Sequence, residues 1–273
     1  MDEPALNRLI DVTFVIPVRI DSPERARNLD VLIDYLIRRF DATILVLEAD
    51  RCRRYFLKNP HHRIRYFFVE DQNPVFHRTF YLNMLYCKVD TPIIAVWDTD
   101  VLACPEQVAD TVAQIRVGKA VFGIPYDGRV YQVTAELSQR YGETKKMDIL
   151  QHSAGEFDIM YGDVSTGGAF IVDRKKYLRA GGENEFFLGW GPEDLERVKR
   201  MEILYPKPIY RANGPLFHLW HPKYLNSNYA NREYELTGKK ELLKVCGMTV
   251  SKLRNYINSW PWLERLQPTS GFY

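Results

Sequence analysis

The chain has 273 residues, of which 46% are hydrophobic and 26% charged, as expected of one large globular domain with a tail left over. Its formal net charge of +2 argues against general nucleic-acid binding, because binding to a phosphate backbone needs a strongly basic face. The four cysteines are scattered without a Cys-x-x-Cys pair, which excludes a disulfide framework or a zinc site as the favoured interpretation. We find no signal peptide and no apolar run of about 18 residues, so we expect a cytoplasmic protein.

Apolar patterns predict alternating strands and helices along the first half of the chain. Residues 11–18 form the first predicted strand, and Ser22 and Pro23 are typical of the cap and first position of the helix that follows. Further strands are predicted at 42–47, 64–69, 92–97, 120–124 and 165–172, and further helices near 51–57, 78–87, 105–117, 134–141 and 146–152. This alternation predicts an α/β fold with a Rossmann-like, mostly parallel sheet.

Residues 92–100 carry the strongest local signal for a functional site. An unbroken apolar run, typical of a strand buried on both faces, ends in Asp98 and Asp100. Residues two apart in extended chain point to the same side, and ligands bind at the carboxyl ends of such strands. The two carboxylates are therefore candidates for holding a divalent cation, although acids also end strands simply because a turn follows.

Other polar residues follow the first two strands at the same edge. Pro17 and Arg19 end the first strand, where a Gly-x-Gly-x-x-Gly motif is missing, which argues against an NAD or FAD site. Arg19 could meet a phosphate or pair with Asp21, and Glu48 follows the second strand. We include Pro17, Arg19, Asp21 and Glu48 among the candidate ligand-binding residues.

Residues 185–194 form a second candidate site. Trp190 lies between two glycines, Pro192 is suited to begin a helix, and Glu193 and Asp194 fall in its first turn. An aromatic ring beside carboxylates suits a sugar, because the ring stacks on the pyranose face and a carboxylate takes its hydroxyl protons. A buried tryptophan next to helix-capping acids is the alternative.

Together these segments resemble the GT-A glycosyltransferases, and most closely the β-1,4-galactosyltransferase type. The similar motifs occur in order between residues 12 and 222: Ile16-Pro17-Val18-Arg19, Phe76-His77-Arg78 with Asn83, Asp98-Thr99-Asp100, Gly167-Gly168, and Gly189-Trp190-Gly191-Pro192-Glu193-Asp194. His77 and Pro192 differ from the family pattern, and the family's methionine-containing metal-ligand segment is missing.

The resemblance implies a GT-A catalytic domain at 1–222 and a metal-dependent transfer of galactose or an N-acetylhexosamine from a UDP-sugar to a glycan or lipid-linked acceptor, in polysaccharide or glycoconjugate assembly. Inversion at the anomeric carbon is the favoured outcome, and retention stays open because some GT-A relatives have a similar Gly-Trp-Gly loop. It implies Mn²⁺ or Mg²⁺ at Asp100 with His218, or His221 in reserve. The implied donor-site residues are Pro17, Arg19, Phe76, Arg78, Asn83, Asp98, Gly168 and Trp190. The implied general base is Asp194, with Glu193 contacting hydroxyls.

The tail at 223–273 lies outside the resemblance. Residues 234–245 and 249–258 are predicted to form two amphipathic helices, followed by Trp260 and Trp262. Lysines beside this aromatic pair would suit peripheral contact with the inner face of a membrane, but packing onto the catalytic domain is the favoured interpretation.

Two other functions remain open from the sequence alone. A non-catalytic nucleotide-sugar-binding subunit would have the same binding residues. A haloacid-dehalogenase-like phosphatase also has Asp-x-Asp after a buried strand, but that family has Thr or Val where this chain has Leu102.

Overall fold

The computed structural model describes residues 6–266 apart from Tyr161, Asp163, Pro208 and the side chain of Leu225. The strands are β1 (Asn7–Val18), β2 (Phe40–Asp50), β3 (Ile64–Glu70), β4 (Ile93–Trp97), β5 (Val101–Leu102), β6 (Phe122–Ile124), β7 (Val130–Gln132), β8 (Asp158–Met160), β9 (Ala169–Asp173), β10 (Tyr210–Arg211) and β11 (Leu216–His218). The helices are α1 (Pro23–Arg39), α2 (Arg78–Tyr86), α3 (Pro105–Arg116), α4 (Ala135–Thr144), α5 (Met147–His152), α6 (Arg174–Arg179), α7 (Glu193–Leu204), α8 (Arg232–Cys246), α9 (Val250–Asn258) and α10 (Leu263–Leu266).

The central sheet has seven strands in the order β10-β6-β9-β4-β1-β2-β3. Strand β1 pairs in parallel with both β2 and β4, whereas β9 runs antiparallel between β4 and β6. The sheet is thus mixed and mostly parallel, with helices packed against it, which confirms the predicted fold class. All five residues of β4 are buried, as expected for a strand covered on both faces.

Helix α1 shows how local sequence positions the site. Ser22 caps it by accepting a hydrogen bond from the backbone N–H of Arg25, and Pro23 occupies its first turn. Leu29, Leu32 and Leu36 bury one face of the helix against the sheet. This packing fixes the first turn of α1, and with it Arg25, beside the carboxyl end of β4.

A second, smaller sheet was not predicted. Its four strands lie in the order β5-β11-β7-β8, and each has only two or three residues. Strand β11 pairs antiparallel with β5 so that His218 lies opposite Val101, the residue after Asp100. The backbone N–H of Leu219 also donates to the carbonyl of Asp100 at 2.7 Å. This ladder brings a distant part of the chain to the end of β4.

The predicted helix at 51–57 is wrong. Residues 51–57 contain no helix or strand, although β2 and β3 still pair in parallel. The carboxylate of Glu48 accepts hydrogen bonds from the backbone N–H groups of Arg54 and Tyr55, at 2.9 and 3.2 Å. A buried side chain therefore satisfies backbone groups that a helix would otherwise pair.

The tail packs against the rest of the protein, which was the favoured interpretation of its sequence. Helices α8 and α9 contact α7, and Trp260 and Trp262 are only 3% and 6% exposed. Both rings lie against Gly181, whose added Cβ would come within 2.4 Å of Trp260. The aromatic pair is therefore buried in the protein and does not present its rings to a membrane surface. Among the helices at described positions, none is both long and apolar enough to cross a bilayer.

Candidate active site

A cleft of about 640 Å³ opens where β1 and β4 end. Its walls include the Asp-x-Asp segment, the turn before β9, the loop around Trp190 and the segment that follows β11. In a largely parallel sheet this edge gathers residues from strands that are distant in sequence. The two candidate regions of the sequence therefore share one cavity.

Asp98 is paired with an arginine on the first turn of α2. Arg78 donates to Asp98 Oδ1 through Nη2 at 2.6 Å and through Nε at 3.2 Å. Burial would lower the pKa of Arg78, but the nearby carboxylates, Asp98 foremost and then Asp194 and Glu193, together outweigh it and raise that pKa. Arg78 Nη1 is buried without a partner among the described residues, so it has a free N–H for a ligand.

Asp100 lies at the centre of a candidate metal site. Its Oδ2 is 3.2 Å from His221 Nε2, and its Oδ1 is 3.7 Å from His218 Nε2. The three residues offer ligand atoms that all lie within 4.8 Å of one another. One carboxylate and two imidazoles form a donor set suited to a transition-metal dication such as Mn²⁺.

Hydrogen bonding orients one of these imidazoles for a cation. His221 Nδ1 donates to the carbonyl of Pro222 at 2.9 Å, which turns Nε2 toward Asp100. Burial would lower the pKa of His221, but the adjacent Asp100 outweighs it and raises that pKa. His218 Nδ1 is buried and has no partner within the described ranges. These observations fit a metal bound by Asp100, His218 and His221.

The acids of α7 differ from each other. Asp194 Oδ1 accepts from Arg197 Nη1 at 2.5 Å, and Arg197 is itself fully buried against Glu183. Glu193 is 6% exposed, and its Oε2 has no partner among the side chains that the structure describes. Burial, with the neighbouring charge of Asp194, raises the pKa of Glu193 from 4.5 to about 8. Asp194 is thus held by an ion pair, whereas Glu193 retains its proton at neutral pH.

Gly167 makes room for Asp194. A Cβ at this position would lie 2.4 Å from Asp194 Oδ2, closer than atoms can approach without displacement. The next residue, Gly168, has φ +83° and accepts a hydrogen bond from the Asp98 backbone N–H at 2.8 Å. Gly167 therefore lets Asp194 lie against the turn before β9, and the carbonyl of Gly168 joins the Asp98 backbone to the same turn.

The loop before α7 presents an aromatic wall to the cleft. Trp190 is 38% exposed and packs edge-on against Tyr229, with ring centroids 4.8 Å apart. Gly189 has φ +75°, a conformation that side chains rarely adopt. Tyr229, Lys239 and Leu242 come from the tail and line the same cleft. The tail thus contributes directly to the site.

The structure places most of the predicted site residues at the cleft. Those lining it are Pro17, Arg19, Phe76, Arg78, Asp98, Asp100, Gly168, Trp190, Glu193, Asp194, His218 and His221. Arg19 pairs with Asp71 at 2.5 Å rather than with Asp21, and its guanidinium lies 5.3 Å from the centroid of the Phe76 ring. Asp21 lies in a smaller adjoining pocket and binds Arg25 and Asn226.

Glu48 and Asn83 are not brought into the cleft. Glu48 is fully buried and accepts from two backbone N–H groups and the Tyr66 hydroxyl. Asn83 is also buried; its side-chain amide donates to the Glu183 carbonyl at 3.0 Å and accepts from the Glu183 N–H at 2.8 Å. Both therefore have structural roles, and their assignment to the donor site is corrected.

Several residues that line the cleft were not predicted from the sequence, among them Arg25, Lys223 and Tyr229. Arg25 contacts Asp100, Lys223 follows His221, and Tyr229 packs on Trp190. The helical pattern of α1 gives no sign that Arg25 faces the Asp-x-Asp segment. Lys223 and Tyr229 lie beyond the motifs, so only their short distance from His221 along the chain could have indicated a role.

Comparisons with solved structures agree with this architecture. The mannosyltransferase PcManGT of Pyrobaculum calidifontis, in complex with GDP-Man and Mn²⁺, matches with a TM-score of 0.51 and 13% identity, over 93% of this chain and 69% of that one. GalNAc-T7, with UDP, GalNAc and Mn²⁺, matches with a TM-score of 0.56 and 12% identity, over 97% of this chain and 57% of that one.

The sequence itself matches no family model and no curated protein. At these low identities the structural likeness concerns the fold alone. The common architecture spans nearly the whole chain and not only the Asp-x-Asp strand. The chain therefore has the fold of the GT-A glycosyltransferases.

Proposed function

We propose that this protein is a metal-dependent glycosyltransferase that moves a hexose from a UDP-sugar to a glycan or lipid-linked acceptor. The observation that carries the proposal is the convergence of Asp100, His218 and His221 in the same cleft as Glu193 and Asp194. Two structures of the same fold support it, since one is a complex with GDP-Man and Mn²⁺ and the other a complex with UDP, GalNAc and Mn²⁺. Galactose or an N-acetylhexosamine is the favoured sugar, and this preference rests on the sequence motifs alone. Polysaccharide or glycoconjugate assembly is the proposed biological process.

Asp100, His218 and His221 would hold the metal, with Mn²⁺ favoured over Mg²⁺ because two of the ligands are imidazole nitrogens. When bound, the metal supplies positive charge to the departing diphosphate. Arg78 offers its unpartnered Nη1 to a donor phosphate, and Phe76 lies beside it on the cleft wall. Asp98, fixed by Arg78, is positioned to accept hydrogen bonds from donor hydroxyls.

Asp194 is the proposed general base. Arg197 fixes its Oδ1, which leaves Oδ2 beside Gly167 as the proton acceptor. The acceptor hydroxyl gives its proton to Asp194 while its oxygen bonds to the anomeric carbon. The bond to the diphosphate breaks and the leaving group takes the electron pair, so the anomeric configuration inverts.

Glu193 has a different proposed role. Because its raised pKa keeps it protonated at neutral pH, it can donate a hydrogen bond to a sugar hydroxyl and also accept one. Trp190 and Tyr229 add aromatic surface on which a pyranose ring can stack. These three residues would position the sugars, whereas Asp194 takes the proton.

A thermal-shift screen of UDP- and GDP-sugars, with Mn²⁺ or with chelator, tests the proposal. We expect one UDP-hexose to stabilise the protein only with metal, and NMR of the transfer product to show an inverted anomeric centre. Binding without transfer or hydrolysis would favour the non-catalytic subunit. No stabilisation by any nucleotide sugar with Mn²⁺ would contradict both functions.

A further inference from the structure

Arg25 occupies an unexpected position beside the candidate metal ligands. Its Nη1 donates to Asp100 Oδ2 at 2.9 Å, the same oxygen that lies 3.2 Å from His221 Nε2. Its Nη2 is 3.4 Å from His221 Nδ1. The guanidinium thus contacts two of the three residues that would hold a dication, and it cannot lose its charge, since arginine does not deprotonate in proteins.

Arg25 is held in this position from both sides. Its Nε donates to Asp21 Oδ1 at 2.7 Å, and Asp21 Oδ2 accepts from Asn226 Nδ2 at 2.9 Å. Its side chain is 13% exposed, and it lines the cleft. Arg25 therefore places its positive charge at the site through fixed contacts, unlike a surface arginine without partners.

The charges of the Asp-x-Asp segment are balanced before any cation binds. Asp100 is neutralised by Arg25 and Asp98 by Arg78, at 2.9 and 2.6 Å. The two histidines add no negative charge. Asp21 also contacts Arg25, so these five charged groups leave a single net negative charge to attract a dication, and the guanidinium in contact with its ligands repels it.

We propose that Arg25 makes metal binding conditional on the diphosphate of the donor. Alone, the metal binds weakly, because Asp100 is already paired. A nucleoside diphosphate brings further negative charge and gives Arg25 an alternative acceptor to Asp100, so that Asp100 becomes available to the metal. The inference rests on the metal site of the proposed function and assigns Arg25 as a positioning residue for that site.

Direct binding of Mn²⁺ tests the inference without any measurement of transfer. Free Mn²⁺ is followed by electron paramagnetic resonance in the presence of the whole protein, alone, with UDP, or with uridine. We expect UDP to strengthen Mn²⁺ binding about 10-fold or more, which is the range of ordinary coupling between sites, and uridine to leave it unchanged. Equal strengthening by uridine would overturn the inference, because uridine brings no phosphate charge.

Variants of Arg25 sharpen the test. Arg25→Met should strengthen binding of Mn²⁺ alone about 10-fold, because one repelling charge is removed and Asp100 is released, and should weaken the effect of UDP by the same factor. Arg25→Lys retains the charge and should stay near wild type. Arg38→Met is the matched control, since Arg38 also pairs with an aspartate on α1, at 2.8 Å, but not at the cleft.

The outcomes separate this inference from the proposed function. If wild-type protein binds Mn²⁺ equally tightly with and without UDP, Arg25 does not set the condition, whether or not the variants fold. Unchanged binding of Mn²⁺ alone in a folded Arg25→Met protein would also overturn it. If no Mn²⁺ binds even with UDP, the metal site itself is wrong and the proposed function fails with it.

Discussion

The two acidic pairs of the cleft are built in opposite ways. Asp98 and Asp100 each contact an arginine from a different helix, Arg78 and Arg25. In the other pair only Asp194 has an arginine, while Glu193 is buried with an unpartnered oxygen among the described side chains. A buried carboxylate beside an arginine has its charge compensated, whereas a buried one without a partner has a raised pKa, as Glu193 does. The neighbours of each carboxyl group thus suit it to a different chemical role.

Replacing Asp100, the acid of the first pair that lies between the two histidines, should have the largest effect on turnover. Asp100→Ala deletes the only acid among the candidate metal ligands, so turnover should fall about 1,000-fold or more, since a bound metal stabilises the transition state by several kcal/mol. Stabilisation by UDP with Mn²⁺ should vanish in thermal unfolding, as it should with chelator in the wild type. The exposed Asp148→Ala is the control. Unchanged stabilisation by UDP in Asp100→Ala would refute the metal assignment.

Within the second pair, substitution of Asp194 and substitution of Glu193 should have different kinetic effects. Asp194→Asn should lower kcat about 100-fold or more with little change in donor affinity, as expected for loss of a general base. Glu193→Gln should mainly raise the acceptor KM, because it removes a hydroxyl contact. Steady-state kinetics of both variants distinguish the roles. Normal turnover in Asp194→Asn with its loss in Glu193→Gln would reverse the assignment.

The position of Asp194 can be disturbed without changing its charge. Gly167→Ala should lower kcat about 10- to 100-fold, because the new methyl group overlaps Asp194 Oδ2 and a displacement near 1 Å costs up to about that factor. Gly155→Ala is the matched control, since an added Cβ there meets no atom within 4 Å. Equal kinetics in the two variants would show that Asp194 has room to move.

The protonation of Glu193 should appear as a pH dependence of stability. Its pKa is raised from 4.5 to about 8 in the folded state, so between these values the unfolded chain has lost a proton that the folded protein keeps. Stability should therefore fall as pH rises through this window, by at most about 1.4 kcal/mol per pH unit from this group. Glu193→Gln should match wild type near pH 4.5 and be more stable at pH 8.

A matched substitution isolates that effect. Glu136 also lies in the first turn of a helix, α4, but is exposed. Glu136→Gln should therefore follow the wild-type unfolding curve at every pH. If Glu193→Gln shows the same pH dependence as wild type, Glu193 is ionised in the folded protein, and its proposed role as a hydrogen-bond donor is wrong.

The strands and their ends could be predicted from the sequence better than the partners of individual side chains. The buried strand before Asp98 was evident because its apolar run is continuous, and α1 because Ser22 and Pro23 mark its start. The helix predicted at 51–57 does not form, because the carboxylate of Glu48 accepts a hydrogen bond from the backbone N–H of Arg54 in that segment. The two-residue strand β5 is too short to show any periodicity.

Partners across the cleft were beyond local patterns. Arg25 and His221 lie 196 positions apart, and nothing around Arg25 distinguishes it from other arginines on α1. The motifs predicted that Asp98 and Asp194 are at a site, but not that Arg78 and Arg197 hold them. Such pairings depend on tertiary packing, which sequence spacing does not encode.

The short ladder between β5 and β11 also bears on how the protein is made. His218 reaches Asp100 only when a strand from late in the chain docks beside Val101. Such long-range pairing is slow, because a large loop must close before the contact forms. A growing chain emerges from the ribosome with Asp100 long before His218. It therefore cannot bring the three candidate metal ligands together until the segment with His218 and His221 has been synthesised.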